Sequence, residues 1–81
     1  MSGKIYCFGA ARDITGTAHL PGPQGKGEIT VRELRAWLLD AYPAFGELVS
    51  FAIAVEEEYA SDDRVIAGGE TVAVIPPVSG G

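Results

Sequence analysis

The sequence predicts one two-layer α+β domain, in which a single amphipathic helix covers one face of a mixed sheet of about four to five strands. Three observations predict it. The 81 residues are too few for two separately folding cores. The composition, 47% hydrophobic and 21% charged, is that of a globular chain. One helix pattern also lies between short segments rich in β-formers, so helix and sheet must bury their apolar faces against each other.

The first half of the chain is predicted to hold a strand, a connecting loop and a glycine-rich hairpin. In chain order these segments are strand 4–8, loop 12–16, strand 17–20, turn-rich hairpin tip 21–25 and strand 27–29. Alternation along the first strand places Ile5 and Cys7 on one face and Tyr6 and Phe8 on the other. Both faces carry apolar side chains, so we expect both to be at least partly covered.

The main helix follows a capping box. Thr30 can accept a hydrogen bond from the backbone of Glu33, whose carboxylate can reach back to the backbone N–H of Thr30. Pro43 disfavours helical geometry in the residue before it, so the helix should end near Tyr42. Trp37 is expected beside an apolar stripe with helical spacing. The stripe consists of Val31, Leu34, Leu38 and Ala41.

The second half is predicted to hold two longer strands joined by an acidic hairpin and a glycine corner. In chain order these are a helical turn 44–48, strand 51–55, hairpin 56–58 with a brief return at 59–60, turn 65–70 and strand 71–75. No stretch reads as a repeat of another. The order of elements is therefore strands, one helix, strands.

Metal sites and a catalytic centre are not predicted within this chain. Cys7 is the only cysteine and His19 the only histidine, which excludes an internal disulfide and a cysteine or histidine zinc cage. These two residues form the only formal nucleophile–base pair. Because Cys7 lies inside an apolar strand, we interpret it as an inert core thiol. Glu56, Glu57 and Glu58 alternate between faces and lack the spacing of a calcium loop.

The charge balance excludes one class of partner. Six Lys and Arg against eleven Asp and Glu give a net charge of −5, the wrong sign for a protein that binds nucleic acid through its phosphates. Five of the acids fall within residues 56–63, either as a solvated hairpin or as a surface for a basic partner. No signal peptide or 18-residue apolar run is present, so we expect a cytoplasmic protein without membrane contact.

The C-terminal segment carries the remaining chemical signal. Pro76 and Pro77 have no backbone N–H and stiffen the chain, so the last strand must leave the sheet there. Gly80 and Gly81 lack side chains and fit a narrow channel in another protein. The sequence therefore predicts a body at 1–75 and an extended tail at 76–81 whose reactive group is the carboxylate of Gly81.

Together these features resemble the MoaD family, the small subunit of molybdopterin synthase, within the ubiquitin-like β-grasp sulfur carriers that include ThiS. The most specific segment is 74–81, supported by Glu70, by Phe8 and by the segment 12–16, and the resemblance spans nearly the whole chain. Family members often carry asparagine at the position of Glu56. The loop 21–27 is also richer in Gly and Pro than the family pattern.

The resemblance implies a β-grasp fold and a sulfur-carrier function in molybdenum cofactor biosynthesis. A MoeB-like enzyme would adenylate Gly81 with ATP, sulfur would replace AMP to give a thiocarboxylate, and this group would donate sulfur to cyclic pyranopterin monophosphate. The AMP adduct and the sulfur are transient, and no permanent cofactor is implied. The chain would be non-catalytic alone, acting with a large MoaE-type subunit in a heterotetramer.

The resemblance also implies a docking surface beside the tail. The implied partner-binding residues are Phe8, Arg12, Tyr59, Ile75, Pro76, Pro77, Val78 and Ser79. From the residues alone, Phe8 and Ile75 can equally be core. Three alternatives to the molybdopterin assignment stay open: a ThiS-like carrier for thiamin or another pathway, a ubiquitin-like protein modifier, and a β-grasp interaction module without terminal chemistry.

Overall fold

The computed structural model describes residues 3–23, 27–48 and 50–76, and these form seven strands, two α-helices and one 3-10 helix. In chain order they are β1 (Lys4–Cys7), α1 (Ala10–Thr15), β2 (His19–Pro21), β3 (Ile29–Thr30), α2 (Val31–Ala41), the 3-10 helix (Pro43–Glu47), β4 (Ala52–Val55), β5 (Glu58–Tyr59), β6 (Val65–Ile66) and β7 (Val72–Ile75). No helix within the three described ranges is long and apolar enough to cross a membrane.

Five strands make a mixed sheet in the order β2-β1-β7-β4-β5. The central pair, β1 and β7, is parallel, and the other three pairings are antiparallel. Strands β3 and β6 form a separate two-stranded sheet. The prediction of a mixed sheet with one main helix is confirmed.

Helix α2 begins at the predicted capping box. The backbone N–H of Glu33 donates to the Thr30 hydroxyl at 3.1 Å, and the Thr30 N–H donates to the Glu33 carboxylate at 2.9 Å. Two further N–H groups of its first turn donate to carbonyls of the 62–64 loop, at 2.9 and 3.0 Å. The helix ends at Ala41, as Pro43 predicts.

The core lies between α2 and one face of the sheet. Its fully buried large side chains are Phe45, Ile5, Leu34, Leu38, Ile53, Ile66, Val31, Val55, Val72 and Val74. Trp37 packs against this cluster from the side. Ala41 is exposed, so its assignment to the apolar stripe was wrong, because the buried stripe of α2 ends at Leu38, three residues earlier.

The loop predicted at 12–16 is instead part of helix α1. Gly9 and Gly16, both at positive φ, flank this six-residue helix, and Gly16 donates its N–H to the Arg12 carbonyl at 2.8 Å. Ala11 is fully buried in the core. The helix is therefore stabilised by its glycine ends and by tertiary packing, which a six-residue window does not display.

Strands β2 and β3 do not form the predicted hairpin with each other. Leu20 pairs with Ile5 of β1, whereas Ile29 pairs with Ile66 of β6. The turn predicted at 65–70 accordingly begins with a strand. Whether two or three residues form a strand, and with which partner, depends on segments that are distant in sequence. The local sequence therefore did not predict the pairing of β2 and β3.

Candidate functional site

The sheet has an outer face, opposite α2, that is built from small and aromatic side chains. Register aligns Tyr6, Ala73, Ala54 and Tyr59 in one row across β1, β7, β4 and β5. Directly opposed residues of neighbouring strands place their Cβ atoms about 5 Å apart on the same side of the sheet. We call this row, together with Ala52, Ile75 and Phe8 at the carboxyl end of the sheet, the outer face.

Large apolar side chains on the outer face are open to solvent. Tyr59 is 76% exposed, Phe8 53% and Tyr6 38%. The expectation that both faces of β1 are at least partly covered is confirmed: Tyr6 is 38% exposed and so more than half covered, although the one long helix packs only on the other side. Ile75 is half-buried and is absent from the core cluster. An apolar surface of this kind is typical of a protein–protein contact.

The carboxyl ends of β1 and β7 meet at one corner of the outer face. Cys7 pairs with Val74, so Phe8 and Ile75 follow at the same end of two parallel neighbours. Arg12 is exposed on α1, which begins two residues after Phe8. The implied docking residues Phe8 and Ile75 thus lie at the place where β7 ends, whereas Tyr59 lies across the sheet on β5.

Cys7 is a core residue. Its side chain is 2% exposed and faces α2, whereas its formal partner His19 pairs with Tyr6 and so lies on the side of the outer face. Burial raises the pKa of the Cys7 thiol, and a hydrogen bond with the Thr15 side chain partly offsets that rise. The two residues therefore point to opposite faces and cannot act as a nucleophile and its base.

Three of the five acidic residues in 56–63 make contacts within the chain. The Glu56 carboxylate accepts a 2.6 Å hydrogen bond from the Thr71 N–H. Asp62 and Asp63 form ion pairs with Arg35 and Arg32 at 3.6 and 3.3 Å. Within residues 3–23, 27–48 and 50–76, no group of three His, Cys, Asp or Glu side chains is placed to hold a metal ion. The outer face and the predicted tail are therefore the candidate site.

Comparison with known proteins gives the family. The model of the ThiS family matches residues 5–81, which include the sheet and the whole tail segment. The chain belongs to the ThiS family. The resemblance to MoaD-type sulfur carriers is also confirmed at the level of individual relatives.

Two such relatives are molybdopterin synthase sulfur carrier subunits. The one from Arabidopsis thaliana is 33% identical over 79 residues, covering 96% of this chain and 81% of the relative. The one from Phaeosphaeria nodorum is 42% identical over 90 residues, covering 96% and 88%. The alignments therefore cover nearly all of this ThiS-family chain and more than four fifths of each relative.

A solved structure confirms the β-grasp fold. A putative molybdopterin converting factor, subunit 1, from Pyrococcus furiosus superposes with a TM-score of 0.81 at 27% identity, covering 94% of this chain and 97% of that one. The prediction of a ubiquitin-like β-grasp body is thus confirmed.

Within the ThiS-family tail, Pro76 is the last residue that the structure describes, and it is half-buried. The predicted roles of Pro77, Val78, Ser79, Gly80 and Gly81 fall outside the described residues and stay predictions. The same holds for the division into a body at 1–75 and a tail at 76–81. Sequence reasoning did not assign a site role to Tyr6, although alternation along β1 already placed it on the same face as Phe8.

Proposed function

We propose that this chain is the sulfur carrier subunit of molybdopterin synthase and that it carries sulfur as a thiocarboxylate on Gly81. The observation that carries the proposal is the near full-length similarity to molybdopterin synthase sulfur carrier subunits, within a family match that continues through residue 81. The acceptor is cyclic pyranopterin monophosphate, in the cytoplasmic synthesis of the molybdenum cofactor.

The loading chemistry needs two steps, since an ionised carboxylate is a poor electrophile. An oxygen of the Gly81 carboxylate attacks the α-phosphorus of ATP, and pyrophosphate leaves to give an acyl adenylate. Hydrosulfide, or its equivalent from a sulfur donor, then attacks the acyl carbon. AMP leaves with the original oxygen, one proton is released, and a thiocarboxylate remains. The AMP adduct and the sulfur are transient, so the chain holds no permanent cofactor.

The catalytic groups for both steps belong to partners. A MoeB-like enzyme adenylates Gly81, and a MoaE-type large subunit, assembled with this chain as a heterotetramer, holds the pterin. This assignment is supported by the properties of the chain: Cys7 is buried, and His19 lies on the opposite face of the sheet from it. The body needs only to dock and to present its tail.

The outer face is the surface that would dock on both partners. Phe8 and Tyr59 supply exposed aromatic area, Ile75 lies where β7 ends, and Arg12 adds an exposed positive charge on α1. Exposed aromatic side chains supply much of the binding energy at protein interfaces. Since β7 runs through the outer face, a partner docked on it lies beside the start of the tail, where Pro76 to Ser79 extend the contact.

Intact mass spectrometry tests the loading step. After incubation with a MoeB-like enzyme, ATP and a sulfide source, the chain ending at Gly81 should gain the mass of one sulfur-for-oxygen exchange. A variant lacking Gly80 and Gly81 should not change in mass, while its thermal unfolding stays that of the full chain because neither glycine has a side chain to add to a core. An unchanged mass of the full chain would remove the carrier assignment. Lysine-linked products would instead identify a protein modifier.

The pterin separates this proposal from a thiamin-pathway carrier. The loaded chain, mixed with a MoaE-type subunit, should convert cyclic pyranopterin monophosphate to molybdopterin and return to the mass of the carboxylate. A loaded chain that keeps its sulfur with this subunit, but yields it to a thiazole-forming enzyme, would reassign the pathway.

A further inference from the structure

The corner between β1 and α1 contacts the chain where the tail begins. A methyl group at the Cβ position of Gly9 would lie 3.3 Å from Cγ of Pro76, closer than side chains normally pack. Pro76 therefore rests on the bare backbone of Gly9. We propose that Gly9 is a positioning residue that sets the direction in which the tail leaves the sheet, an inference that rests on the proposed carrier function.

The backbone geometry at this corner requires glycine. Gly9 has φ 51° and ψ −127° at the first central position of a turn that the Ala11 N–H closes onto the Phe8 carbonyl at 2.9 Å. A positive φ at that position is the hallmark of a type II′ turn, which glycine dominates. The turn reverses the chain immediately after β1. It brings the Gly9 backbone next to Pro76, the residue that follows β7.

Contact with Gly9 matters because the strand pairing of β7 stops just before Pro76: its pairs with β4 end at Ile75. The parallel register of β1 and β7 ends at the pair of Cys7 and Val74. Pro76, two residues later, has no N–H to donate to a neighbouring strand. The direction of the chain beyond Ile75 is therefore set by packing around Pro76, and the Gly9 backbone is one wall of that packing.

Two other glycines provide matched controls. Gly16 and Gly69 also adopt positive φ, 76° and 86°, so alanine strains the backbone at each of them as it does at Gly9. Among the described residues, however, no atom lies within 4 Å of the Cβ position of either one. The three substitutions share backbone strain, and only Gly9→Ala also pushes on Pro76.

The consequence for function is a loss in rate rather than in docking. A displaced tail carries Gly81 away from the reacting atoms of the partner, and misplacement by about 1 Å can cost up to about a hundredfold in rate. For Gly9→Ala we expect kcat for thiocarboxylate formation to fall about tenfold or more, with a smaller change in KM. Gly16→Ala and Gly69→Ala should keep kcat within about twofold of the unchanged chain.

Nuclear magnetic resonance tests the positioning without any enzyme. The unchanged chain should show a nuclear Overhauser contact between the Gly9 α-protons and the Pro76 γ-protons. In Gly9→Ala the amide resonances of residues 78–81 should shift, while in Gly16→Ala and Gly69→Ala they should stay in place. Tail resonances that coincide in all four chains, or that shift equally in the controls, would overturn the inference.

Rescue separates the contact from general damage at the corner. Pro76→Ala removes the γ-carbon, so Gly9→Ala should lower kcat much less in a Pro76→Ala chain than in the unchanged chain. An equal fall in both backgrounds would also overturn the inference. If the unchanged chain gains no sulfur at all, the proposed function fails, and the resonance comparison still decides whether Gly9 directs the tail.

Discussion

At the scale of single residues, the turn between β4 and β5 holds two glutamates in an unfavourable conformation. Glu56 and Glu57 have φ values of 53° and 67°. The left-handed region costs an L-residue about 1–2 kcal/mol, and two-residue hairpin turns of this hand favour Asn-Gly. Glu56 gains a compensating hydrogen bond from the Thr71 N–H, whereas the Glu57 side chain is exposed. The strain at Glu57 is therefore the more easily relieved.

Glu57→Gly should raise the free energy of unfolding by about 1 kcal/mol, because glycine adopts positive φ without steric cost. Urea denaturation followed by circular dichroism measures the change. Glu58→Gly is the matched control: Glu58 lies in β5, where glycine only adds chain entropy to the unfolded state, so it should lower the free energy by about 0.5–1 kcal/mol. A stabilisation of equal size at both positions would point to charge removal instead of backbone strain.

At the scale of elements, local signals were readable from the sequence and distant ones were not. The capping box of α2 needs only Thr30 and Glu33, three residues apart, and the sequence predicted both bonds. Helix α1 depends on Ala11 entering a core that is assembled from distant strands. The pairing of β3 with β6 joins Ile29 to Ile66, which are almost half the chain apart in sequence. A window of a few residues contains none of that information.

An ion pair between Arg64 and Glu70 stabilises the connection between β6 and β7. Arg64 donates to both Glu70 oxygens, at 3.2 and 3.0 Å, and the Ala67 N–H donates to Glu70 at 2.7 Å. The pair with Arg64, followed by the Ala67 bond, lowers the pKa of Glu70 below its ordinary value of 4.5. The native state therefore favours the ionised carboxylate more than the unfolded chain does.

Because the pKa of Glu70 is lower in the folded state, its contribution to stability is complete above the unfolded value and is lost as pH falls through the folded value. Glu70→Gln should thus destabilise the chain at neutral pH, and the difference should shrink as the medium is acidified below the folded pKa. Denaturation of both chains along a pH series measures this. Glu47→Gln, at an exposed position of the 3-10 helix, is the control for the amide itself and should change the free energy of unfolding at neutral pH by less than about 0.5 kcal/mol. A pH-independent difference at Glu70 would mean that Glu70→Gln destabilises the chain through altered packing and not through loss of the negative charge.

At the scale of the whole molecule, the candidate site was predictable in kind but not in extent. The tail 76–81 is recognisable because a pair of prolines and a pair of glycines lie within six consecutive residues. The outer face is assembled from residues of β1, β4, β5 and β7, and its exposure depends on which side of the sheet α2 covers. Alternation predicted that Tyr6 and Phe8 share a side. Only the packing of α2 decided that this side faces solvent.

The outer face makes a prediction about docking that is separate from the chemistry of the tail. Tyr59→Ser removes an aromatic ring that is 76% exposed, so the free energy of unfolding should change by less than about 0.5 kcal/mol. Its affinity for a MoaE-type subunit, measured by isothermal titration calorimetry, should fall about thirtyfold, as is typical when an aromatic anchor worth about 2 kcal/mol is truncated.

Val65→Ser is the matched control for docking, because Val65 is 47% exposed on β6, which belongs to the two-stranded sheet and not to the outer face. Its affinity for the large subunit should stay within about twofold of the unchanged chain, since truncating a side chain outside an interface leaves the buried contacts intact. Equal losses at both positions would mean that general surface apolarity drives association. An unchanged affinity in Tyr59→Ser would move the docking surface away from the β5 side, leaving the corner at Phe8 and Ile75 to hold the partner.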